Sequence, residues 1–200
     1  MTKYFEQKNY KSFQEIEYDN VEEIKIQFIE YLKLKTNFLT DENIKDIFHN
    51  LNIEDVLKFC PELIKFFKKI KILCKQLNLI YISNHMNLED LLPLHIHAPR
   101  FNFQINIPIF NTENFWTEWY EIPKSIDINY EKLFKNYNLD LRDVDIEELK
   151  CLGKINVHKN PIIFNVLIAH RVITKGPLNF PRIILTAIPL RDISHLMKKN

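Results

Sequence analysis

The chain has 200 residues, of which 46% are hydrophobic and 12% aromatic. That is ample apolar material for one packed core and too little length for two full-sized domains. Lys plus Arg number 27 against 26 Asp plus Glu, so a net charge of +1 provides no global field for DNA, RNA or an anionic membrane. The three cysteines, Cys60, Cys74 and Cys151, form no C-x-x-C pair, and their odd number speaks against a disulfide framework and for a reducing, cytoplasmic setting. Only two glycines occur, Gly153 and Gly176, which excludes the glycine-rich phosphate cradles of the common nucleotide-binding folds. The opening MTKYFEQKNYKSF lacks the apolar core of a signal peptide, and no stretch approaches the length of a membrane span.

Residues 1–77 read as a helical N-terminal region. From Val21 to Leu34 apolar residues recur mostly at three- and four-residue steps behind Asp19 and Asn20, which suit an N-cap. Thr40 to Asn43 matches a capping pattern ahead of Ile44 and Ile47, and Asn52 to Asp55 opens a further short helix. Pro61 suits a first helical turn, followed by a wide apolar face of Leu63, Phe66, Phe67 and Ile70 ringed by lysines, which reads as the solvated rim of an amphipathic helix.

From about residue 78 the hydrophobic period changes to two. Leu79–Ser83, Phe101–Ile109, Phe115–Ile122, Ile155–Val157, Ile162–Ile168 and Arg182–Ile188 read as strands, with a charged, more helical insertion near residues 129–150. Helices first and strands after them predict an α+β chain, mainly β: an antiparallel sandwich or barrel over 78–200 with helices on one face. Along Phe101–Ile109, Asn102, Gln104 and Asn106 share one face, polar but uncharged, as the lining of a wet pocket would be.

His95-Ile96-His97 puts two imidazoles on one face of a strand, where they can chelate one ion, but such a pair is weak by itself and needs a third ligand. His158, His170 and His195 are the downstream candidates; His170, ending an apolar run, stands where a strand-end ligand closes a site. Arg182, one of only five arginines, shares a strand face with Ile184 and Thr186. A buried guanidinium must be paired, either by a protein carboxylate or by a bidentate carboxylate ligand.

The blocks LPLHIHAP, FQINIPIFNTEN, FWTEWYE, NPIIFNVLIAHRV and FPRIILT, in that order over about residues 78–190, resemble the Fe(II)- and 2-oxoglutarate-dependent oxygenase superfamily, particularly its aspartyl/asparaginyl-hydroxylase-like and cupin-type members. The resemblance implies a double-stranded β-helix, a jelly-roll barrel whose mouth holds Fe(II) or another divalent transition metal, with 2-oxoglutarate as cosubstrate. It maps metal ligands to His95, His97 and His170, the cosubstrate's far carboxylate to Arg182 with Thr186, and cosubstrate neighbours to Asn106 and Tyr120. His97 stands where the family has an acidic ligand. Three readings follow from that departure: a 2-oxoglutarate-dependent dioxygenase or hydroxylase, a three-histidine cupin dioxygenase that does not use 2-oxoglutarate, and a non-catalytic metal-binding or scaffolding protein whose N-terminal helices dock a protein partner. The substrate is left open among a protein side chain, a small metabolite and a nucleobase.

Overall fold

A computed structural model describes residues 10–39, 41, 44–86, 93–97, 102–126, 128–129, 133, 135 and 138–198. Among the described residues it has two antiparallel sheets and three named helices. The helices are α1 (Val21–Lys35), α2 (Ile53–Phe59) and α3 (Pro61–Lys69). The large sheet contains β1 (Phe13–Glu15), β2 (Phe48–Leu51), β3 (Cys74–Ile82), β5 (Phe103–Phe110), β9 (Ile162–Asn165) and β11 (Arg182–Pro189), in the order β1-β9-β5-β11-β3-β2. The small sheet contains β4 (His95–His97), β6 (Phe115–Glu121), β7 (Asn138–Asp140), β8 (Lys150–Asn156) and β10 (Ala169–Thr174), in the order β7-β4-β10-β6-β8.

Strand alternation sorts the large sheet into two faces. On β11, Ile183, Leu185 and Ala187 join Phe103, Ile105, Ile107 and Ile109 of β5 and Leu77, Leu79 and Tyr81 of β3 in one core with the helices. The helices supply Ile24, Phe28 and Leu32 from α1 and Leu63, Phe66 and Phe67 from α3, spaced three and four residues apart as one helical face requires. Burying each such side chain is worth about 1.5–3 kcal/mol, so this layer anchors the sheet from behind. The opposite face, with Ile184 and Phe164, meets Trp119 of β6 and Val157 in a second core between the sheets. Trp119 stacks on Phe13 at 4.9 Å and lies edge-on to Phe164 at 6.1 Å, so this side of the sandwich is filled.

The expected strands all appear, with shifted ends, and three expected helices are present. Residues 1–77 hold more than helices. They also supply β1, β2 and the start of β3. Ile44 to Ile47 is not helical, and Phe48–Leu51 pairs with β3 instead, because a half-apolar tetrapeptide beside a free sheet edge gains more from ladder hydrogen bonds than from one helical turn. Thr40, Glu42 and Asn43 lie outside the described residues. Within the insertion near 129–150, Leu133 and Lys135 are helical, β7 pairs with β4, and Ile146–Glu148 forms a single 3₁₀ turn.

Asn52 caps α2 as expected, its side chain accepting from the N–H groups of Glu54 and Asp55. Asn20 does not cap α1. Its Nδ2 donates to Glu62 on α3 at 2.8 Å, and the same carboxylate accepts from the Tyr18 hydroxyl at 2.6 Å and from Lys65 at 2.8 Å. Glu62 is only 3% exposed. Hydrogen bonds from Lys65, Tyr18 and Asn20 outweigh its burial and pull its carboxyl down to about 2.

Glu62 thus joins α3 to the segment entering α1. Glu62→Ala would take the shared acceptor from Tyr18, Asn20 and Lys65, of which the exposed Asn20 and Lys65 can turn to water, and should cost about 1–2 kcal/mol of stability, with Glu62→Gln losing less. Urea unfolding at neutral pH reads both, and an Ala variant within about 0.5 kcal/mol of the native protein would show the contact to be incidental.

Candidate metal centre

β4 lies between β7 and β10, with His95 opposite both Asp140 and His170. Because side chains on a strand repeat every second residue, His95 and His97 face one way and Ile96 packs the other way, against Leu139 and Tyr120. His170 enters the same space from the start of β10. The three rings pack at centroid distances of 4.8, 4.3 and 5.2 Å, and one ligand atom from each lies within 4.8 Å of the other two. Nε2 of His95 and Nε2 of His97 are 3.1 Å apart.

Two of the three tautomers follow from backbone contacts. His95 Nδ1 lies 2.8 Å from the Pro93 carbonyl oxygen, and His170 Nδ1 lies 2.8 Å from that of Ile168. A carbonyl can only accept, so each Nδ1 carries the proton and each Nε2 turns a lone pair inward. Burial pushes all three imidazoles below the ordinary histidine range, His97 to about 3, and for His97 and His170 the neighbouring rings add to the effect. The cluster therefore stays neutral near pH 7 and presents lone pairs in place of charge. Three neutral imidazoles suit a divalent transition ion and are poor ligands for magnesium or calcium, which favour oxygen.

Behind the ligands, His170 is 4% exposed and packs edge-on against Phe164 at 5.5 Å. His97 N–H donates to the Val166 carbonyl in the link after β9, which ties β4 to the large sheet. His158 and His195, the other candidates, are not in the cluster.

Arg182 opens β11 and points between the sheets, its guanidinium 4.6 Å from the Phe115 ring. It is 5% exposed, and its Nε has no hydrogen-bond partner. Among the described residues no carboxylate pairs with it, and burial alone lowers it to about 10, so it remains charged at neutral pH. A cation–π contact contributes about 0.5–2 kcal/mol. Desolvating an unpaired guanidinium costs several kcal/mol, so the ring leaves a deficit that an anion would remove.

The remaining expected residues separate. Thr186 is 3% exposed and donates to Asn106 Oδ1 at 2.9 Å, four residues along β11 from Arg182 with Ile184 between them. At about 3.3 Å per residue the two side chains leave the strand roughly 13 Å apart. Tyr120 lies beside the inward-facing Trp119 and so turns to the outer face of the small sheet. There its hydroxyl donates to Glu118 Oε2 at 2.5 Å, and Arg171 donates to the same oxygen through Nη2 at 2.9 Å. Glu118 is raised by burial and lowered further by its bonds to Tyr120 and Arg171, ending below the usual carboxylate range. Neither Glu118 nor its partnership with Arg171 was expected. Their opposition across β6 and β10 depends on a register that spans more than fifty residues of chain.

The fold is similar to those of several solved non-haem enzymes. The chain aligns with HygX from Streptomyces hygroscopicus, solved with nickel and 2-oxoglutarate bound, at 9% identity and a TM-score of 0.53, over 92% of this chain and 83% of HygX. It aligns with SnoN, a non-haem alpha-ketoglutarate-dependent epimerase from nogalamycin biosynthesis, at 8% identity and a TM-score of 0.54, over 93% and 80% of the two chains. The carbocyclase SnoK from the same biosynthesis aligns at 9% identity with a TM-score of 0.50. No protein-family model matches the chain, and no curated protein matches it by sequence.

The buried imidazoles set a pH dependence. Their folded-state affinity for protons is below that of free histidine, so the unfolded chain binds more protons under about pH 6.5 and stability falls as pH drops, by up to ~1.4 kcal/mol per pH unit for each group. The urea midpoint of metal-free protein should therefore fall between pH 7.5 and 5.5, and the fall should be shallower in His97→Gln. Identical slopes in the two proteins would mean that His97 is not held neutral.

Proposed function

We propose that the protein is a divalent-metal enzyme of the Fe(II)- and 2-oxoglutarate-dependent class acting on a small molecule, with His95, His97 and His170 as ligands and Arg182 as the anchor for the oxo-acid's far carboxylate. The observation that carries this reading is the pairing of a neutral three-imidazole cluster with a buried, unpaired guanidinium inside one two-sheet sandwich. The strand winding supports it. β3, β5, β9 and β11 lie in one sheet and β4, β6, β8 and β10 in the other, with order β9-β5-β11-β3 facing β4-β10-β6-β8, as a double-stranded β-helix requires. β1, β2 and β7 extend its edges.

Each residue has a distinct task. His95 and His170, fixed through Nδ1 to backbone carbonyls, hold their Nε2 lone pairs on one point, and His97 completes the set. Arg182, aimed inward from the start of β11, receives a carboxylate through its fork. Phe115 covers the guanidinium, and Trp119 and Phe164 keep water from the buried side of His170. An iron held by the histidines would supply, with the oxo-acid and dioxygen, the oxidising power. Replacing the family's acidic ligand with His97 removes one negative charge, which makes the metal more electrophilic toward a dianionic oxo-acid. Thr186 and Asn106 serve elsewhere on the inner face, and Tyr120 braces Glu118 and Arg171 behind the ligand strands.

The test is calorimetric. Native protein should bind one Fe(II) or Ni(II), His170→Ala should weaken that affinity at least about 100-fold, and Arg182→Ala should keep the metal yet lose 2-oxoglutarate. Metal retained by His170→Ala would dismiss the cluster. Oxo-acid binding unaltered in Arg182→Ala would leave the arginine structural. Metal binding with no oxo-acid affinity in the native protein would favour a three-histidine enzyme of another kind or a scaffold.

A further inference from the structure

The large sheet carries a row of uncharged polar side chains on the face that looks toward the small sheet. Cross-strand register places Asn106 of β5 and Asn78 of β3 on either side of Thr186, with Asn50 of β2 beyond Asn78. Gln104 and Gln76 stand one step along the same strands. All share the face of Arg182, because Arg182, Ile184 and Thr186 alternate with Ile183, Leu185 and Ala187, which pack on the helices. The row reaches the metal centre: Gln104 pairs in register with Phe164, whose ring packs against His170.

Three features set this row apart from an ordinary sheet face. β3, β5 and β11 are interior strands with helices covering their other side, yet Gln76, Asn78, Gln104 and Asn106 are all partly exposed. Solvent reaches the face here, whereas over Ile162, Phe164 and Ile184 it is covered by packed side chains. Asn and Gln are also poor strand residues, so their concentration beside a central strand opposes local preference. Finally, the row's internal bonds use up some of its hydrogen-bonding groups and leave others pointing outward. Gln76 Nε2 donates to Asn50 Oδ1 at 2.7 Å and to Asn78 Oδ1 at 2.9 Å, and Thr186 Oγ1 donates to Asn106 Oδ1. Among the described residues, Nδ2 of Asn78 and of Asn106, and Oε1 of Gln76, are left without protein partners. Inward positions 76 to 82 of β3, 104 to 108 of β5 and 184 to 188 of β11 carry no ionisable group.

We propose that this carboxamide row is the substrate-binding subsite, and that the substrate it takes is an uncharged, polyhydroxylated ring such as a sugar or glycoside. Hydroxyls both donate and accept, so they match a surface offering amide N–H and C=O groups in alternation. A substrate carboxylate or ammonium would lose its hydration there and find no counter-charge, which makes the row selective against both. The proposal rests on the enzymatic reading above for the use of the row, since Gln104 and Phe164 link it to the ligand cluster.

The test uses three probes with one ring: methyl β-D-glucopyranoside, glucuronate and glucosamine. Their binding is followed by ligand-observed NMR on protein loaded with Zn(II) and 2-oxoglutarate, and again on metal-free protein. The neutral glycoside should bind saturably and at least about fivefold more tightly than either charged analogue, and Gln76→Leu/Asn78→Leu should weaken it about tenfold or more while metal and oxo-acid affinities stay as in the native protein. Asn78→Thr, which suits a strand, should weaken it about threefold and covers the case of a double variant that does not fold. No saturable binding of the glycoside, a charged analogue that binds as well, or affinity unchanged in the variants would each overturn the proposal. An oxo-acid titration of the Zn(II)-loaded protein separates the two readings: binding of the glycoside without any oxo-acid affinity would remove the enzymatic reading and keep the subsite, and the converse would do the reverse.

Discussion

Two imidazole nitrogens 3.1 Å apart, in surroundings that oppose charging either ring, are the constraint on which the rest depends. Facing lone pairs repel unless a proton or a cation lies between them. Without an ion, neutral His97 can meet this with its single ring proton on Nε2, donated to His95, while burial, which depresses His97 to about 3, opposes a second proton near pH 7. In the function proposed above, a divalent ion would take that proton's place and draw in His170 as well. The two carbonyls that hold Nδ1 of His95 and His170 set the direction of the lone pairs before any ion arrives, so binding needs little reorganisation.

The layered packing exists to hold those rings still. β4 is only three residues long and would not persist alone, but it is paired by β7 on one side and β10 on the other, and His97 N–H is tied to the Val166 carbonyl. Outside it, Ile96, Leu94, Leu139 and Tyr120 form a small core of their own, and the Glu118–Arg171 pair stiffens β6 against β10. The helices act at longer range. By covering the back of the large sheet they let its front carry amides and a guanidinium without losing the sheet's hydrophobic anchor.

Much of this was legible in the sequence, and the reason is alternation. A period of two over Phe101–Ile109 placed Gln104 and Asn106 together, H-x-H placed two imidazoles on one face, and the end of an apolar run marked His170. The same rule applied to Trp119 and Tyr120 would have turned Tyr120 away from the cavity, because the bulkier apolar neighbour takes the inside. What stayed hidden depends on distant pairing. β2 is a strand only because β3 offers an edge, Asn20 is drawn from a cap by Glu62 forty-two residues on, and Glu118 meets Arg171 across fifty-three residues. Arg182 and Thr186 were correctly given one face, yet their four-residue separation puts the hydroxyl with Asn106 and leaves the guanidinium unpaired.

The most direct measurement is a crystal structure of the protein grown anaerobically with Fe(II) and 2-oxoglutarate. One iron is expected, bonded to Nε2 of His95, His97 and His170, with the oxo-acid's far carboxylate forked on Arg182. Iron bound elsewhere, or an Arg182 guanidinium still facing Phe115 with the oxo-acid absent from the space between the sheets, would contradict it.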